Sequence, residues 1–108
     1  MVDPEYVRMM SQLRLALLND CGCEDTLAKV ENEARDAGLS GADIDAALAE
    51  RSFDIRTSAI LALGCAIKNA DLPAYTAARK RVLDCGLTHE ALDYFEAAID
   101  QLLKEMPN

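Results

Sequence analysis

The chain has no tryptophan and one histidine, and aromatic residues make up only 5% of it. A core without large rings has to be filled by Ala, Leu, Ile and Val, which suits closely packed helices. Proline and glycine are also few, three and five. They fall between periodic segments, so no linker or low-complexity tract divides the sequence. The 108 residues are expected to form a single domain, 1–108, burying roughly two thirds of the surface exposed on unfolding. No apolar run approaches the about 20 residues that span a bilayer. The opening MVDPEYVRMM carries neither the basic nor the apolar segment of a secretory signal. These shortages point to a cytoplasmic protein without a membrane partner, whose thiols stay reduced unless catalytic or metal-bound. Positive charge is scarce too: 11 Lys and Arg against 19 Asp and Glu leave a net charge of −8. Such a chain repels phosphate backbones, which argues against nucleic acid as a partner. Its one basic cluster, Arg79-Lys80-Arg81, reads as the solvated face of a helix.

What is present is helix grammar. Asp3 before Pro4 and Glu5 is an N-cap followed by proline in the first turn. The first helix then runs to about Leu18, with Tyr6, Met10, Leu13 and Leu17 on one face. A second covers about Glu24 to Ala37, with Leu27, Val30, Ala34 and Ala37 at helical spacing, and stops at Gly38. Ser40 caps a third, with Asp43 placed for a capping box and Ile44, Ala47 and Leu48 as its apolar face. Asp54 caps a fourth, Ile55 to about Asn69, whose middle, AILALGCAI, is apolar all round and should be buried. Gly64 within it costs roughly 1 kcal/mol of helix propensity, which suggests a close helix crossing. A fifth, capped by Asp71, carries Tyr75, Ala78, Val82 and Cys85 inward and ends at Gly86. A sixth, capped by Thr88, turns Leu92, Phe95, Ile99 and Leu102 inward and Glu90, Asp93, Glu96 and Asp100 to solvent. No strand is expected.

The halves resemble each other. DAGLS at 36–40 and DCGLT at 84–88 stand 48 positions apart. At that offset the inward set 27, 30, 34, 37 falls on 75, 78, 82, 85. The sequence therefore predicts an all-α, six-helix domain of two similar three-helix units. Apolar surface left over by their packing would favour a homo-oligomer or a protein partner.

CEDTLAKVENEARDAGLSGADIDAAL, the second copy DLPAYTAARKRVLDCGLTHEALDYFEAAI and the preceding RTSAILALGCAIKNA together resemble the alkylhydroperoxidase D-like and carboxymuconolactone decarboxylase-like superfamily. The resemblance covers about residues 10 to 103 and implies an all-helical, usually oligomeric protein. Catalytic members of that superfamily work through Cys-x-x-Cys, followed four residues later by His, at the start of the helix before the glycine turn. Counted back from Gly38, the motif falls on Cys23, Thr26 and Val30; from Gly86, on Asp71, Ala74 and Ala78. The resemblance therefore implies a vestigial, non-catalytic module that acts by oligomerisation or partner binding. The chemistry shows what has gone. A thiol at a helix N-terminus is stabilised as thiolate, a second thiol resolves its oxidised form, and a histidine one turn on relays protons.

Two alternatives stay open. Cys23 could be an attacking thiolate resolved by Cys21, with Glu24 or Glu31 handling protons, in a thiol-dependent peroxidase or disulfide-exchange enzyme. The chain could also be an unrelated helical adaptor. Cys21-x-Cys23 is not the knuckle of structural zinc, and Cys65 and Cys85 occupy apolar helix positions, so no metal site is expected. No cofactor is expected either, since no phosphate loop or dinucleotide fingerprint occurs. His89 reads as a solvated first-turn residue. Asp43/Asp45 and Glu31/Glu33 lie two apart on helices and form no acid/base pair.

Overall fold

A computed structural model describes residues 3–20 and 24–106. The described residues form six helices: α1 Pro4–Leu18, α2 Glu24–Asp36, α3 Gly41–Leu48, α4 Ile55–Lys68, α5 Leu72–Asp84 and α6 His89–Glu105. None of them is long and apolar enough to cross a membrane.

Local chemistry sets these boundaries. Asp3, Ser40, Asp54, Asp71 and Thr88 each accept a backbone N–H in the first turn of the helix they precede. Each such cap is worth about 1 kcal/mol. Ser40 and Asp43 complete the full capping box. At the other ends, Gly38 and Gly86 adopt φ of 99° and 95°, which glycine enters without strain. Glu50 and Ala70 occupy the same left-handed turn after α3 and α4, at φ of 63° and 53°. There the side chain costs stability, because its Cβ crowds the following carbonyl.

Packing centres on two crossing helices. α4 is buried along most of its length, as its apolar middle requires, but α1 is equally central. Leu13, Ala16 and Leu17 face one buried cluster with Ala59–Leu61, Leu63, Ala78, Val82, Leu92, Phe95, Ile99 and Leu102. Leu15 and Leu18 face a second cluster with Val30, Ala34, Leu39, Ile44 and Ala47. The four inward positions read from the sequence therefore cover one side of α1 only. Gly64 marks the crossing: a Cβ there would stand 2.7 Å from Leu13 Cδ1 and 3.4 Å from Leu17 Cδ2.

α1 packs on α2, α3 and α4; α4 packs on α5 and α6; α2 touches α3 as α5 touches α6. The last pair holds a correction to the solvated faces expected from sequence. Glu96 is turned inward to accept hydrogen bonds from the Tyr75 hydroxyl at 2.7 Å and from Arg79 at 2.6 Å. The guanidinium also lies 5.7 Å from the centre of the Tyr75 ring. Pairing across the helices outcompetes hydration for these two charges because the aromatic ring shelters them.

Candidate functional site

Cys21 and Cys23, the thiols singled out by sequence, lie outside the described residues. The end of α1 that precedes them in sequence is described. The Lys68 ammonium donates to the carbonyl of Leu17 at 2.6 Å and pairs with the Asp20 carboxylate. A cation is thereby fixed at the C-terminal end of α1, where the helix dipole favours it. Hydrogen bonding and charge from Lys68 hold the Asp20 carboxyl below its ordinary pKa.

Thr26 and Val30 lie within the described residues. Thr26 and Val30 line a groove of about 280 Å³ where α1, α2 and the end of α6 meet. Leu18, Val30, Leu102 and Met106 supply its apolar lining, and Val30 is only 8% exposed. Arg14, Lys29, Glu33 and Glu105 complete the wall. Arg14 and Glu33 form an ion pair at 3.6 Å, both close to half exposed. Thr26 thus brings a hydroxyl and Val30 an isopropyl group to this groove, and neither group can close a disulfide.

The remaining cysteines are packing residues to different degrees. Cys65 is buried, and burial pushes its thiol up to about 12, reinforced by hydrogen bonding and charge from Glu50. It is protonated and inert at neutral pH. Cys85, expected in the core, is half-buried at the end of α5, with its sulfur 4.0 Å from the Ile55 carbonyl. His89 is exposed in the first turn of α6, as its position implied. Among the described residues no three His, Cys, Asp or Glu side chains gather to hold a metal.

A second cavity escaped the sequence reading. α1, the start of α4 and Leu87 and Phe95 enclose a cleft of about 450 Å³, lined also by Glu5, Arg8, Met9, Gln12, Asp54, Arg56 and Thr57. Behind its wall runs a chain of hydrogen bonds. The Ser52 hydroxyl donates to Gln12 Oε1 at 2.8 Å and accepts from the Asp54 backbone N–H at 3.2 Å. Asp54 Oδ2 accepts from the Thr57 hydroxyl at 2.7 Å and its N–H at 3.2 Å. The bond from the Thr57 hydroxyl lowers the Asp54 pKa, against a smaller opposing effect of burial. Gln12 and Thr57 are among the few buried polar side chains of the described residues, at 7% and 3% exposure. Little local signal was available, since Gln12 stands in the largely polar stretch Ser11–Arg14 that precedes the apolar Leu15–Leu18.

Comparison of the chain with known protein families, with curated proteins and with solved structures finds no match.

Proposed function

We propose that this protein is a non-catalytic helical module, a vestigial relative of the alkylhydroperoxidase D-like and carboxymuconolactone decarboxylase-like superfamily, that works through association with a second copy or a protein partner. The observation that carries the reading is the groove in which Thr26 and buried Val30 stand at the motif positions. Val30 has no proton to exchange and Thr26 cannot close a disulfide, so redox turnover at that place has lost two of its three parts. A two-unit architecture is supported by the packing. The α1–α2, α1–α3 and α2–α3 contacts correspond to α4–α5, α4–α6 and α5–α6, with α1–α4 at the junction. Association is supported by Phe53, Ile55 and Leu72, which are 76%, 68% and 69% exposed. Large apolar side chains so exposed are characteristic of contact surfaces when they cluster, and Phe53 and Ile55 are near neighbours.

Light scattering across a concentration series tests the association. The protein is expected to form a defined oligomer, and Phe53→Ser with Ile55→Ser should shift it toward monomer without loss of helical circular dichroism. Hydroperoxide consumption tests the other half of the reading. Turnover that disappears in Cys23→Ser would establish the thiol enzyme in which Cys23 attacks and Cys21 resolves. Ordinary, slow thiol reactivity would leave the vestigial module standing.

A further inference from the structure

The cleft between α1 and the start of α4 has features that packing alone does not require. We propose that it binds a small phosphomonoester carrying an apolar body. Arg8 and Arg56 both line it, and neither enters a salt bridge among the described residues. Two guanidinium groups outside any salt bridge therefore meet in one cavity, with Asp54 close enough to Arg56 to feel its charge. Their planar forks match the terminal oxygens of a phosphate, and two positive charges match its dianion better than they match a single carboxylate.

The remaining lining fits the same ligand. Gln12 gives one amide hydrogen to the Arg8 carbonyl at 3.3 Å, and its second amide hydrogen has no partner among the described residues. Its carbonyl end is fixed by Ser52, so the amide is held in one orientation. Met9, Leu87 and Phe95 supply an apolar wall that inorganic phosphate alone would leave wet. A cavity of about 450 Å³ falls in the range that encloses small organic ligands. Two carboxylates also line the cleft. Asp54 accepts from the backbone and hydroxyl of Thr57 and also feels the Arg56 charge, so its carboxylate competes with a ligand for that guanidinium. Glu5 is exposed and opposes an anion, which makes it a control built into the site.

Titration calorimetry and amide chemical-shift mapping of the intact chain with phenyl phosphate test the proposal. Binding is expected to move the amides of residues 8–12 and 54–57. Arg8→Gln and Arg56→Gln should each weaken it by about tenfold or more, the loss of one charged hydrogen-bonding partner. Glu5→Gln should tighten it, a gain that a merely damaged fold would not give. Inorganic phosphate and phenol should each bind more weakly than the ester that joins them. No binding of phenyl phosphate at about 5 mM, well into the range that fills a weak site, would overturn the proposal. So would binding that ignores both arginine substitutions, or benzoate binding as tightly as the ester. None of these outcomes depends on the oligomeric state or on the thiols, so the proposed function and this site can fail separately.

Discussion

Leu27 and Leu48 in the first half occupy the positions of Tyr75 and Glu96 in the second, and Glu31 that of Arg79. The two helix pairs are closed by opposite means. In α2–α3 the leucines pack against the second apolar cluster. In α5–α6 a tyrosine, an arginine and a glutamate hold one another by hydrogen bonds, with the Arg79 and Glu96 side chains 33% and 22% exposed. Helix pairs 48 positions apart in sequence are thus closed by apolar contacts in one case and by charged ones in the other. The first is driven by water exclusion and is not weakened by charge screening; the second is directional and can be screened. A further asymmetry lies in length. α3 has 8 residues and α6 has 17. The added turns of α6 carry Ile99 and Leu102 into the first cluster, and Met106 touches both clusters. They also bring Leu102 and Met106 to the groove of Thr26 and Val30.

Deep positions should test the equivalence most severely. Ile44→Ala and Leu92→Ala, at matched sites 2% and 0% exposed, are each expected to lose about 3–4 kcal/mol in urea unfolding. A large gap between them would show that one half carries the stability alone. Next come Leu27→Ala and Leu48→Ala, half-buried, at about 1–2 kcal/mol each and not diminished by added salt.

The glycine turns come third. Gly38→Ala and Gly86→Ala should cost about 1 kcal/mol each, and Glu50→Gly and Ala70→Gly should gain about 0.5–1 kcal/mol, read as shifts in melting temperature. A separate effect is confined to alkali. The Cys65 thiol has its ordinary value of 9.0 raised to about 12, so the folded state keeps a proton that the unfolded state gives up. That stabilisation is complete below about pH 9 and is lost as pH rises from 9 toward 12. Cys65→Val should flatten this part of the stability profile; Leu17, 48 positions earlier in α1, does not titrate. Least of all, Glu96→Gln should lower the melting temperature slightly at low salt and by almost nothing near 1 M salt, where charges are screened within about 3 Å. A salt-independent loss would make the closure of α5–α6 a packing contact like that of α2–α3.

The helices were legible because their limits rest on short-range chemistry. Asp3, Ser40, Asp54, Asp71 and Thr88 cap what their positions predict, and α2 and α5 begin and end 48 positions apart. Gly64 pointed to a close crossing, and the crossing is there. Contacts set by three-dimensional neighbours were not legible. The second buried side of α1 depends on where α2 and α3 lie, and Glu96 reads as solvent-facing until Arg79 and Tyr75 arrive from another helix. Gln12, Ser52 and Thr57 converge across 40 or more positions of sequence, which no local pattern can announce. The candidate thiols illustrate the converse: Cys21 and Cys23 were conspicuous in sequence, yet their geometry falls outside the described residues, while Thr26 and Val30 acquire meaning from the groove they share.

The contact between Gly64 and Leu13 constrains how this sequence can change over generations. Alanine at 64 would improve the helix but meets the Leu13 methyl at 2.7 Å, so either substitution alone is penalised while the two together can be neutral. Positions 13 and 64 should therefore vary as a pair: a lineage that gains a side chain at the crossing of α1 and α4 must first, or at once, give up volume on the facing helix.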